Sequence, residues 1–231
     1  ESANNPSYTL MQNSNLPVYI FMSVIVAIFM GLTVSAEEII KDRKILRREA
    51  FLNLSWNSYL ISKISVQFLI SAIQAAMFVA VGNTIIGIKG MWFEYWLVLF
   101  SCWATSNMMG LLISDSFKTV VTIYILIPFL VIPQIILSGI IVKYDKLNPN
   151  ISSPVSIPVY GEIIAARWGY EALAVDQYMN NRFEKQFYRY DKVISIAKFK
   201  KDIWYNEMRS ILSRMESNLE KERLGPSGRN D

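Results

Sequence analysis

The sequence predicts an all-α fold, a polytopic transmembrane helical bundle, and three observations lead there. Four uncharged runs, 17–36, 64–88, 95–114 and 119–142, are each long enough to cross a bilayer as helices, because about twenty apolar residues span the roughly 30 Å hydrocarbon core. A compact basic cluster, Lys41, Arg43, Lys44, Arg47 and Arg48, follows the first run directly. Beyond Val142 the chain becomes polar and charged, with helical periodicity in place of continuous apolar character.

The basic cluster orients the bundle. Lys and Arg accumulate in cytoplasmic loops near span ends, so the segment 37–63 is expected inside. Alternation then places Asp115 to Lys118 on the same side, and residues 1–16 and 143–231 on the other. Close to the spans, that opposite side carries only Lys89, Lys143 and Lys146.

Composition narrows the chemistry. The 231 residues are 52% hydrophobic, and the polar tail holds the mean hydropathy down to +0.27. The net charge of +4 reflects the cytoplasmic cluster, which topology and anionic lipid explain, so nucleic acid is not an expected partner. There is no histidine, the commonest general base and metal ligand, and the single Cys102 allows neither an intrachain disulfide nor a thiolate metal site. No charge falls inside a run, so this segment is expected to be non-catalytic, with no metal and no cofactor of its own. The chain opens on Glu1 with no signal-peptide layout before Pro17, and the expectation is an internal part of a longer membrane protein.

In order along the chain, residues 1–16 are rich in Asn, Ser and Pro and read as an external loop. Pro17 suits a first helical turn. From Glu37 to Lys63 the pattern turns amphipathic, with Ile45, Leu52, Trp56, Tyr59 and Leu60 on one face and Lys44, Arg47, Arg48 and Glu49 on the other. This predicts a helix along the inner membrane surface and a break around Asn53 to Ser58; a generic interfacial anchor is the alternative. The second span carries Gln67 and Gln74, seven residues apart and so on one face. A short link, Lys89 to Glu94, makes the second and third spans antiparallel neighbours, with Trp92, Phe93, Tyr95 and Trp96 as an aromatic belt. In the third span, Ser101, Thr105, Ser106, Asn107 and Gly110 permit close helix approach. The fourth holds Pro128, Pro133 and Gln134, and its freed carbonyls need a neighbour or a water-lined cavity. A pathway and a mere packing kink are both open readings there. Asn148 to Pro158 reads as a loop, with a glycosylation-type triplet at Asn150-Ile151-Ser152. Gly161 to Asn180 predicts one helix, and Asp191 to Arg223 a longer amphipathic helix or hairpin.

The run Glu37 to Glu49 followed by Ser58-Tyr59-Leu60-Ile61-Ser62-Lys63 resembles the cytoplasmic coupling region of ATP-binding-cassette exporters of the G subfamily. Ser106 to Ser114, Pro128 to Gly139 and Ala166-Arg167-Trp168-Gly169-Tyr170-Glu171-Ala172-Leu173 resemble further elements of that family, in the family's order. The resemblance implies that the four spans correspond to the family's second to fifth helices. It implies coupling to an ATPase domain through Glu37, Asp42, Arg43, Arg47, Arg48 and Glu49, and it nominates Phe29, Met30, Gln134 and Leu137 as cavity-lining. With the in-span polar and kink residues Gln67, Gln74, Asn107 and Pro133, these make up the translocation-pathway candidates. Since no basic residue is expected early in the second span to pair with Glu37, Arg47 or Arg48 is the expected partner.

The implied function is the permease portion of an ATP-driven exporter of a lipid-like or amphipathic substrate. It would be a multi-pass protein of a bacterial inner or plasma membrane, surrounded by lipid. Its partners would be a nucleotide-binding domain, upstream in the same polypeptide and holding ATP and Mg, and a second permease half in a homo- or heterodimer. The alternative is a non-transporting anchor or sensor that presents an external helical domain.

Overall fold

The computed structural model describes residues 15–49, 55–88, 90–142, 159–181 and 184–223. Among these the regular structure is helical, in two units that divide at residues 181 and 182.

In the first unit, α1 (Asn15–Ser35) passes through the two-residue turn Ala36–Glu37 into α2 (Glu38–Glu49). Next come α3 (Trp56–Ile86), α4 (Trp92–Ser116), α5 (Val120–Ile136), the one-turn α6 (Val159–Ile163) and α7 (Ala165–Asn180). The stretches of α1, α3 and α4 are long and apolar enough to cross a membrane, whereas α5 is shorter. Its 17 residues rise about 26 Å, near the lower limit for a crossing.

The bundle is built around α4, which packs most extensively on α1 and then on α3. Between apolar helices in lipid the hydrophobic effect offers little drive, and close backbone approach takes its place. A Cβ on Gly31 of α1 would lie 2.8 Å from Ser106 Cβ and 2.9 Å from the Trp103 carbonyl oxygen of α4. One turn on, a Cβ on Gly110 of α4 would collide with Ser35 Oγ and stand 3.0 Å from the Leu32 carbonyl oxygen. Large side chains fill the space beside this seam: Ile20, Val24 and Leu32 from α1, Leu99 from α4, Ile123 from α5 and Leu173 from α7 are fully buried. The outer face of α3 (Leu69, Met77, Ile85) stands exposed, as a lipid-facing surface must.

Several boundaries differ from the sequence expectation. The second apolar run begins at Ile64, but α3 starts two turns earlier at Trp56, where Ser55 Oγ accepts a 3.4 Å bond from the Ser58 amide as N-cap. Its 31 residues extend about 46 Å, well beyond the hydrocarbon thickness, so one end stands clear of the membrane. The fourth run reaches Val142, yet α5 stops at Ile136, and Gly139 takes a left-handed φ of 80° in the turn that follows. Where one helix was expected from Gly161 to Asn180 there are two. Ile164 is extended, its side chain buried, and the break lets Gln134 Oε1 of α5 accept from the Ala166 amide at 3.1 Å. The loop 148–158 with its glycosylation-type triplet, and residues 1–14, lie outside the described residues.

In the second unit, a short 3-10 turn (Glu184–Gln186) precedes α8 (Tyr188–Phe199) and α9 (Tyr205–Arg223). A π turn, Lys200–Trp204, joins them, and its flanking residues keep right-handed helical dihedrals. Residues 188–223 are therefore one continuous helix and not a hairpin.

Candidate functional site

Among the described residues, the densest polar constellation outside the apolar bundle lies where α2 meets α3 and α4. The first N–H groups of a helix lack intrahelical partners. In α2, the amides of Ile39 and Ile40 both donate to Ser114 Oγ of α4, each at 3.0 Å. The arrangement is reciprocal: Arg43 Nη2 donates to the carbonyls of Ser114 (3.3 Å) and Asp115 (2.8 Å), in the last turn of α4. A cation there also meets the negative end of the α4 dipole. Beneath these bonds the Ile39 side chain is buried and anchors α2.

A second tie runs to α3. Lys63 Nζ lies 2.9 Å from Glu38 Oε2 and 2.7 Å from Asp42 Oδ2, and the Tyr59 hydroxyl donates to Asp42 Oδ2 at 3.0 Å. All of these groups are partly buried. The Lys63 ammonium beside Asp42 holds its carboxyl below the ordinary carboxylate range; partial burial opposes the shift and the Tyr59 hydroxyl supports it.

Of the expected coupling residues, Asp42 and Arg43 thus face inward and make the joints. Glu37 pairs with Lys41, one turn along, and not with Arg47 or Arg48, which are about 15 Å further on along the helix axis. A basic residue near the start of the second span does take part, since Lys63 reaches Glu38. Arg47 and Arg48 project outward with Lys44, and Glu49 closes the helix with its side chain outside the described residues. Ile45 is exposed among these cations, so the inner face of α2 is Ile39, Asp42, Arg43 and Leu46. Glu38, Tyr59, Lys63 and Ser114 were missed as site residues by sequence reasoning. The signal for them was the resemblance itself, since all four lie within the segments that carry it.

The arrangement fixes a charged helix to three membrane-crossing segments at once while leaving a cationic face free. The profile of the ABC-2 type transporter matches residues 4–176. The chain belongs to the ABC-2 type transporter family. No curated protein and no solved structure matches it.

An ABC-2 chain is the membrane component of an ABC transporter and associates with an ATPase. In this ABC-2 bundle the pathway candidates are spread over α1, α3, α4 and α5. Gln67 and Asn107 are buried between α3 and α4, where Asn107 Nδ2 donates to Ser71 Oγ (2.6 Å) and to the Gln67 carbonyl (3.3 Å). Gln74, two turns further along the same face of α3, is only half-buried. Gln134, beside Pro133, reaches the first turn of α7, and Leu137 packs at the end of α5. Phe29 and Met30 of α1 point out of the bundle, about two-fifths exposed.

α7 is the other polar element of this ABC-2 bundle, packing on α1, α4 and α5. Its buried Arg167 donates to Glu171 Oε2 at 3.1 Å and to the Gly161 carbonyl at 3.3 Å, with Glu162 3.4 Å away. A Tyr95 hydroxyl bond to Gln177 Oε1 (2.9 Å) fastens the far end of α7 to α4.

Proposed function

We propose that this chain is the permease portion of an ATP-driven exporter, and that α2 is the coupling helix receiving the motion of an ATPase domain. The observation that carries the reading is the double fastening of α2: Ser114 and Arg43 fix it to α4, and Glu38 and Asp42 fix it to α3. A helix held at so many points, and joined to α1 by a two-residue turn, cannot shift without moving three membrane-crossing segments together. Its free face presents Lys44, Arg47 and Arg48 around the exposed Ile45, which suits a partner surface with carboxylates around an apolar dimple.

In this reading closure of the ATPase domains moves α2, and the bundle rotates against a second permease half to switch access. The substrate is lipid-like or amphipathic, and the residues assigned to meet it are the outward-facing Phe29 and Met30 of α1 and, separately, Leu137 at the end of α5. No covalent chemistry is assigned to these residues.

The test is substrate-stimulated ATPase activity of the assembled transporter carrying Arg47→Ala and Arg48→Ala. Neither side chain takes part in the bonds to α3 or α4, so the variant should insert normally and lose at least about tenfold of its stimulation. Unchanged stimulation would show that α2 does not receive the ATPase motion.

A further inference from the structure

The second unit presents an apolar surface that the transport reading does not use. Neither α8 nor the π turn buries any residue, and Val193, Ile196, Trp204, Met208, Met215 and Leu219 all stand exposed. The π turn decides how these residues relate to one another. Ile196 and Trp204 are eight residues apart, which in an uninterrupted α-helix would set them about 80° apart around the axis. A π turn takes up one extra residue, as the Tyr205 amide bonding to the Lys200 carbonyl shows, and brings Trp204 back to within about 20° of Ile196. The two side chains accordingly line one groove of about 500 Å³ with Phe199 and Lys200. The stripes of α8 and α9 thereby become one apolar line about 40 Å long, from Val193 to Leu219.

Charge identifies what covers it. Along the N-terminal half of the line stand Arg189, Lys192 and Lys200, each within about 40° of Ile196 around the helix, while Asp191 lies about 160° round from Val193. Lys200 sits within the groove itself. In the seam of a pair with a second copy, that ammonium would be buried opposite its own counterpart. On a lipid surface its stem can lie along the apolar line while the ammonium reaches the phosphates. Phe199, Trp204 and Tyr205 beside it are residues that favour the membrane–water boundary. A bilayer is also within reach, because only residues 181–187 separate this helix from α7, which packs on the membrane-crossing α1 and α4.

We infer that the helix 188–223 docks by its N-terminal half on an anionic phospholipid surface, with the line from Val193 to Met208 set into the headgroup region. Recognition is by charge and apolar area, as for other interfacial amphipathic helices. This inference does not depend on the role assigned to α2.

The experiment uses the whole chain reconstituted in phosphatidylcholine vesicles, with or without phosphatidylglycerol. An environment-sensitive fluorophore is placed on Ile196→Cys, Met208→Cys or Ser210→Cys, the native Cys102 being buried. Shielding from an aqueous quencher is expected at 196 and 208 with phosphatidylglycerol, and not at 210, which faces the opposite way. Each cation near such a surface contributes roughly a factor of five. Replacing Arg189, Lys192 and Lys200 by Ser should therefore lower the docked-to-free ratio by a factor on the order of 100. Three outcomes would overturn the inference: labels at 196 and 208 open to quencher on both vesicle types, shielding equal on both, or shielding that follows protein density and not lipid charge. The last would assign the line to a second copy of the chain.

Discussion

Ser114 shows how a single hydroxyl can determine the position of a helix. It accepts from two amides that α2 cannot satisfy internally, so Ser114→Ala leaves one buried donor and one partly buried donor unpaired. Each unsatisfied buried donor costs about 1–3 kcal/mol. Amide hydrogen exchange at Ile39 and Ile40 should accelerate by one to two orders of magnitude, with the rest of α4 little changed. Gly110 makes the complementary point, because no space exists for a Cβ between Ser35 and Leu32. Gly110→Ala should force α1 away from α4 and lower the melting temperature of the detergent-solubilised protein by several degrees, a loss of about 1–3 kcal/mol. Asn107→Leu should cost less, about 1 kcal/mol, since interhelical hydrogen bonds within membranes are individually weak. Sequence reasoning marked Asn107 as a polar residue of the third span and a pathway candidate; the structure adds that its Nδ2 donates to Ser71, a partner the helical period alone does not identify.

At the scale of elements, the long apolar runs declared themselves because length and the absence of charge are local properties. Where each helix ends was less legible. α3 begins two turns before its apolar run because Ser55 caps it and because Tyr59 and Lys63 have carboxylates to bind on α2. α5 stops short of its run because Gly139 leaves the helical region. The face of α2 was misread at Ile45, since charged residues make up half of its buried side. The α2–α3 joint carries a pH dependence whose sign is fixed. Asp42 has a folded pKa below its unfolded value of about 3.9, so its stabilisation is complete above that value and is lost as pH falls through the lower, folded one. Exchange protection of α2 in the natural chain should exceed that in Asp42→Asn by a constant amount from pH 8 to pH 5. That difference should vanish only below about pH 4. A difference that faded between pH 7 and 5 would contradict the Lys63 pairing.

For the whole molecule, the family membership and the helical class were both accessible before any coordinates, because they rest on motif order and on apolar length. The way α7 is fastened was not accessible, since it depends on pairs such as Tyr95 with Gln177, 82 residues apart. Gly169 of α7 belongs to the same set: a Cβ there would lie 2.8 Å from Cys102 Sγ and 2.9 Å from Val24 Cγ1. Gly169→Val should release α7 from the bundle, seen as faster proteolysis after residue 164 while α1 and α4 stay protected.

The bond between Ile39 and Ser114 spans 75 residues of chain, and this imposes an order on biosynthesis. When α2 leaves the ribosome its receptor does not yet exist; α3 must be inserted and α4 nearly finished before Ser114 arrives. Until then the open amides of α2 are left to water and the headgroups, and only the completed third crossing can retire them. A nascent chain arrested before Ser114 should therefore expose Arg43 to trypsin, and one arrested beyond α4 should not, which makes the docking of α2 a built-in checkpoint on the insertion of α3 and α4.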